Sequence, residues 1–208
     1  MNYGSDPFSP NPRFSAFPPA VKHLILINVV VFLALATPMI GPIVMRFGAL
    51  FPIGSGLFRP WQLVSYMFLH AGFGHLFFNL FALWIFGQPI EQAWGTRRFT
   101  FYYFVTGIGA ALLHMLIGGG GAPTVGASGA VYGILLAFGM MFPNRIIMLL
   151  FPPIPLPAKY FVLIYGAIEL FSGVMRTSSG VAHFAHLGGM LVGYLLIRHW
   201  RGSRGGLW

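Results

Sequence analysis

Residues 126–133 read GASGAVYG, a serine set among small residues just after the glycine run of residues 118–121 and at the head of an apolar segment. From Ser128 to the residue before Pro143 there are 15 positions. A helix of that length, at about 1.5 Å per residue, covers roughly 22 Å and falls short of a hydrocarbon core of about 30 Å. One end of it must therefore lie below a membrane surface. The preceding glycines turn without side-chain cost, and irregular backbone at that depth is tolerated only where protein shields it or a wet cavity receives it. The stretch predicts a hydroxyl at the floor of a water-filled depression.

The composition supplies the membrane. The 208 residues are 57% hydrophobic and only 7% charged, with a mean hydropathy of +0.77. That is too little charge to clothe a soluble globule of this size. Cysteine is absent, which removes disulfides, thiolate metal sites and a cysteine nucleophile together. An excess of nine basic over acidic residues would suggest nucleic acid in a soluble protein. Here the bases lie between apolar segments, where they set orientation against anionic membrane lipid, and no nucleic-acid partner is expected.

Residues 1–19 hold five of the sixteen prolines and no apolar run, the pattern of a disordered tail. Six spans are expected, over residues 21–36, 74–93, 99–117, 128–142, 158–175 and 183–200. The first two are joined by a long apolar link, residues 39–74, whose prolines and glycines break helices and which belongs partly in the membrane interface. With the N-terminus inside, nine bases fall on cytoplasmic segments and only Arg46, Arg59 and Arg176 on the other side. This places both termini in the cytoplasm. The domain plan is a tail over 1–19, a membrane domain over 20–201 and a short tail over 202–208.

Ionisable groups inside a membrane are costly enough that each is a functional candidate. An aspartyl mechanism needs two carboxylates sharing a proton, but the acids are Asp6 in the tail, Glu91 near the end of the second span and Glu169 within the fifth. A zinc mechanism wants His-Glu-x-x-His or a similar cluster, and no histidine here precedes a glutamate. No metal or cofactor is expected. A serine with a histidine base remains.

Helical spacing narrows the choice of base. His186, Gly189 and Gly193 share one face of the last span, and Gly129 and Gly133 share one face of the fourth. Stripes of small residues let membrane helices approach closely, which draws His186 toward Ser128. Tyr132 lies one turn below the serine, where its ring can stack on the imidazole. His183 is a weaker base, suited to hydrogen bonding or to the interface. His75 and Asn79, four apart on the second span, stand at the same membrane end and can donate to a developing oxyanion together with the Ser128 N–H. Taken singly, each of these polar residues more often serves as glue between helices. Glu91 reads as an anchor for Arg97, Arg98 or a backbone donor, and Glu169, mid-segment in the fifth span, reads as neutral, hydrogen-bonded to another helix or close to the outer surface.

Three motifs in order on three spans, His75-x-x-x-Asn79, Gly126-x-Ser128-Gly129 with Tyr132, and Ala185-His186 with Gly189 and Gly193, resemble those of the rhomboid family of intramembrane serine proteases. Trp61, His70 and Glu91-x-x-x-Gly95 are weaker matches, and the resemblance runs over about residues 21–200. It implies an all-α membrane protein, a six-helix bundle of the minimal bacterial form with a long, partly embedded first outer loop. It also implies a Ser128–His186 dyad without an acid, no carboxylate being placed to complete a triad. The oxyanion site would comprise His75, Asn79 and the Ser128 amide; Tyr132, Gly126 and Gly129 would support the dyad, with helix packing at Gly133, Gly189 and Gly193.

Substrates would be single-span or multi-span membrane proteins with helix-weakening residues, cut near the outer face of the cell membrane. They would enter between the second and fifth helices, where Phe77, Phe78, Phe161 and Phe171 either line a gate or face lipid. One departure is Gln62 after Trp61, where the family often has arginine. Two rival functions are a catalytically silent rhomboid-like protein that binds membrane proteins, and a small transporter with a proton path through its His and Glu residues. The natural substrate and the oligomeric state are not legible in the letters.

Overall fold

Apolar runs free of helix-breaking clusters build six long helices, and the irregular link supplies two short ones. The computed structural model describes residues 17–118, 122–149, 152–175 and 182–203. Most of the proline-rich tail, residues 119–121 of the glycine run, Arg176 and residues 204–208 lie outside the described residues. The helices are α1 (Pro19–Leu35), α2 (Gly41–Gly48), α3 (Gln62–Ser65), α4 (Phe73–Trp94), α5 (Thr96–Leu113), α6 (Ser128–Met141), α7 (Ala158–Met175) and α8 (His183–Ser203).

Three of them are long and apolar enough to cross a membrane by length and composition: α4, α7, and α5 together with the π-turn His114–Gly118 that extends it. α1 and α6 are apolar but shorter, at 17 and 14 residues. The polar ends of α8, His183 and His186 at one and Arg198, His199 and Arg201 at the other, dilute its hydropathy. The all-helical expectation needs one correction. β1 (Ile146–Met148) pairs antiparallel with β2 (Pro155–Pro157) between α6 and α7, a ribbon with prolines at the ends of one strand, which an edge position tolerates.

The short helix α6 is the centre of the bundle, packing on α4, α5, α7 and α8. Its contact with α8 is backbone on backbone: a Cβ on Gly189 would overlap the carbonyl of Gly129, and one on Gly129 would press on Ala110 of α5. The two glycine stripes do not face each other along their whole length. Gly133 and Gly193 look instead onto Thr106 and Tyr102 of α5, and the Tyr102 hydroxyl donates to the Gly133 carbonyl at 2.8 Å. α5 thus wedges beside the α6–α8 contact below the first turn. α7 rests on α6 and α8 but has no comparable contact with α4, and these two are bridged by the Phe86–Phe161 ring pair at 5.9 Å.

Gln62, which the sequence presents as a departure, organises the link. It is fully buried; its Oε1 accepts from the Arg59 and Phe51 N–H groups at 3.1 and 3.3 Å, and its Nε2 donates to the Leu57 carbonyl at 3.2 Å. A neutral amide offers donors and an acceptor at one point, which an arginine does not.

Glu91 is an anchor for backbone rather than for arginine. Its buried carboxylate accepts the Ala20 and Val21 N–H groups, both at 2.8 Å, and the Thr96 hydroxyl at 2.6 Å. Pro19 to Val21 form the first turn of α1, where N–H groups have no intrahelical acceptor and a negative charge is favoured. Arg98 lies over the Trp200 ring at 4.0 Å. Glu91→Ala strands these donors in the core, and thermal or denaturant unfolding in detergent is expected to show a loss of about 2–3 kcal/mol; an unchanged midpoint contradicts the capping role.

Candidate active site

The loop before α6 is held from two sides. Leu50 and Thr124 exchange backbone hydrogen bonds at 3.0 and 2.9 Å, and the Gly126 N–H donates to the Tyr66 carbonyl at 2.9 Å. The Tyr66 hydroxyl in turn reaches the Gly107 carbonyl of α5 at 2.8 Å. Gly126 has φ +129°, a region that favours glycine, and a Cβ there would press on the His75 ring. The chain therefore enters α6 with Ser128 as the first helical residue and with its backbone against His75.

The Ser128 Oγ and the His186 Nε2 are 2.8 Å apart. The Tyr132 ring lies flat on the imidazole, with centroids 4.3 Å apart and planes inclined by 5°. Ser128, His186, Tyr132, His75 and Asn79 all line one cavity of about 1200 Å³. The cavity runs from the serine toward the other end of the bundle, where Ile147, Met148 and Phe161 line it. Of the four phenylalanines considered for a gate, Phe78 and Phe161 line it and Phe77 and Phe171 do not; Phe161 is buried, while Phe78, like Phe77 and Phe171, is exposed.

The polar groups of α4 are held locally. The Asn79 Nδ2 donates to the His75 carbonyl one turn back at 2.8 Å, and the Ala71 N–H reaches the His75 Nδ1 at 3.5 Å. His75 and Asn79 of α4 and Ser128 of α6 line the cavity from two sides, and the first N–H groups of α6 have no intrahelical acceptor. At the end of α5, the His114 ring meets the Thr124 hydroxyl at 2.9 Å, tying the π-turn to the serine loop. π-turns recur at functional sites.

Sequence reasoning missed Glu169. The expectation that no carboxylate stands near the base is overturned, because the Glu169 Oε2 lies 3.0 Å from the His186 Nδ1 and 2.6 Å from the His183 Nδ1. Its Oε1 accepts the Tyr132 hydroxyl at 2.5 Å. Only the His183 contact has hydrogen-bond alignment, while the His186 Nδ1 meets the same oxygen off-line. A signal was present in the spacing: His183 and His186 are three apart on one helical face, so an acid that reaches one from a neighbouring helix also reaches the other.

These observations define a helical membrane protein with a hydrogen-bonded serine–histidine pair in a cavity between helices. The rhomboid domain family model matches residues 57–201. The chain belongs to the rhomboid family. It is 36% identical over 152 residues to Rhomboid-like protein 11, chloroplastic, of Arabidopsis thaliana, covering 67% of this chain and 52% of that protein. It is 35% identical over 136 residues to RHOMBOID-like protein 6, mitochondrial, of the same plant, covering 65% and 42%. The match to Rhomboid protease GluP of Bacillus subtilis is 37% over 75 residues, or 36% of this chain and 14% of that protein. The chain thus spans about half or less of the length of these curated relatives.

His70, in the link outside the helices, faces His75 edge-on at 4.9 Å. Burial first, and His75 second, pull its pKa from 6.5 down to about 4. Between those values the unfolded chain binds more protons than the folded one, so stability from this group is present near pH 7 and lost as pH falls through the window. Melting in detergent at about pH 7 and pH 4.5 is expected to show a smaller acid-induced loss for His70→Gln than for the wild type; equal losses contradict this.

Proposed function

We propose that the chain is an intramembrane serine endopeptidase that cuts transmembrane segments of other membrane proteins. The observation that carries this reading is the 2.8 Å approach of the Ser128 Oγ to the His186 Nε2 inside a cavity of a membrane bundle. In an apolar surround an unpaired hydroxyl or imidazole is costly to keep, and at this distance the imidazole can take the hydroxyl's proton.

The reaction is acyl transfer. His186 Nε2 accepts the Ser128 proton while Oγ attacks the scissile carbonyl carbon, and the negative charge passes to the carbonyl oxygen. His75, Asn79 and the Ser128 N–H are the donors for that oxygen. The tetrahedral species collapses as the C–N bond breaks, with the amine leaving after it takes the proton from His186. Water, deprotonated by the same imidazole, then hydrolyses the ester and restores Ser128. A helical carbonyl is already hydrogen-bonded, so the favoured substrates are single-span or multi-span proteins whose segments carry glycine, proline or other weak helix formers. The side between α4 and α7, where packing is sparse, is the entry we assign.

The nine-to-three asymmetry of basic residues supports an orientation with both termini cytoplasmic and the serine end open to the outer face of a cell membrane. The apolar, arginine-bearing α2, with Ile43 and Phe47 exposed, suits the interface at that face.

A fluorophosphonate probe is expected to modify the wild type and not Ser128→Ala. His186→Ala is expected to lower cleavage of a transmembrane substrate at least about 1000-fold with the fold retained, and Asn79→Ala about 100- to 1000-fold. A folded wild type that is neither labelled nor active supports the catalytically silent alternative and defeats this reading; near-normal activity in His186→Ala removes the assigned base.

A further inference from the structure

We infer that Glu169 is a positioning residue that orients the base from beside the His186 ring, with Tyr132 and His183 holding the acid in place. This rests on the protease reading and deepens it, since the pair of Ser128 and His186 alone leaves the second ring nitrogen without a task.

Serine, imidazole and carboxylate follow one another in space. Ser128 Oγ is 2.8 Å from His186 Nε2, and His186 Nδ1 on the far side of the ring is 3.0 Å from Glu169 Oε2. If Nε2 is to accept the serine proton, the neutral ring must carry its own proton on Nδ1, and a carboxylate beside Nδ1 selects that tautomer and stabilises the imidazolium that forms. The contact is off-line in the resting protein, and catalytic hydrogen bonds of this sort commonly tighten only with substrate bound.

The acid is itself built in. Glu169 and His186 are both buried. Tyr132, whose ring is stacked on His186, donates its hydroxyl to Oε1 at 2.5 Å, so one residue fixes both the ring plane and the carboxylate. His183 meets Oε2 at 2.6 Å. A carboxylate with no role in the membrane core would be expensive to retain, whereas one met by two imidazoles and a phenol is satisfied.

A metal centre is the competing use of the same side chains, because the donor atoms of Glu169, His183 and His186 lie within 4.8 Å of one another. The distances decide against it. Tetrahedral ligands at zinc bond lengths of 2.0–2.1 Å stand about 3.3 Å apart, while His183 Nδ1 and Oε2 are separated by 2.6 Å. A proton fits between them and a zinc ion does not.

The test compares full-length wild type, Glu169→Gln and Glu169→Asp in proteoliposomes, reading kcat, KM, the rate of fluorophosphonate labelling and the melting midpoint, with and without EDTA. The expected result is a kcat lower by about 100- to 10,000-fold in Glu169→Gln, as for loss of the orienting acid in other serine proteases. KM should change less than about threefold, labelling of Ser128 should slow in parallel, and Glu169→Asp should recover part of the rate. EDTA should change nothing. Wild-type kcat in Glu169→Gln overturns the inference, as does a loss shared equally by Gln and Asp that tracks a fallen melting midpoint, or one that EDTA reproduces. An intact wild type that is neither labelled nor active instead overturns the protease reading on which the inference stands.

Discussion

The structure depends on one close approach, that of the α6 and α8 backbones at Gly129 and Gly189. No side chain fits between the Gly129 carbonyl and Gly189, and this absence brings two short-reach groups, a serine hydroxyl and an imidazole, to 2.8 Å. Lipid offers no hydrophobic drive to press helices together, so van der Waals contact over small residues and buried polar links must do so. Tyr102 and Thr106 of α5 complete the fit lower down, filling the space beside Gly133 and Gly193. Tyr132 then lies flat on His186 because the helices are already that near.

The chain carries three acids, and the two within the described residues are each placed where a carboxylate has several donors. Glu91 gathers two N–H groups of the α1 first turn and the Thr96 hydroxyl. Glu169 gathers Tyr132, His183 and, off-line, His186. In a medium where an isolated charge costs many kcal/mol, such clustering is what allows an acid to remain. The first ties the polypeptide entry to the end of α4. The second ties α7, the helix beside the open cavity, to α6 and α8.

Much of this was legible in the letters. Hydrophobic runs marked the six long helices to within a few residues at each end, and the shortness of the serine helix followed from counting to Pro143. The glycine spacing led from Ser128 to His186, and the same spacing put Tyr132 on the serine's face. Glu169 was legible only from the side of the two histidines, because which residues of α7 face α8 depends on the tilt of a helix whose own sequence is apolar nearly all round. Gln62 was read as a departure since the link has no period from which to infer a partner. For Glu91 the letters offered Arg97, Arg98 or a backbone donor, and the backbone of the α1 first turn takes the carboxylate, while Arg98 stacks over Trp200. The ribbon β1–β2 was missed because prolines at 152, 153, 155 and 157 argue against a strand until an edge position is allowed.

The central claim is that Ser128 is the nucleophile and His186 its base, with Glu169 orienting the imidazole. A structure of the fluorophosphonate-treated protein at side-chain resolution tests it most directly. The account predicts phosphorus bonded to Ser128 Oγ, the phosphoryl oxygen turned toward His75 and Asn79, and His186 Nδ1 within hydrogen-bonding distance of a Glu169 oxygen. An adduct on another residue, or Glu169 withdrawn from the His186 ring in the adduct, would contradict it.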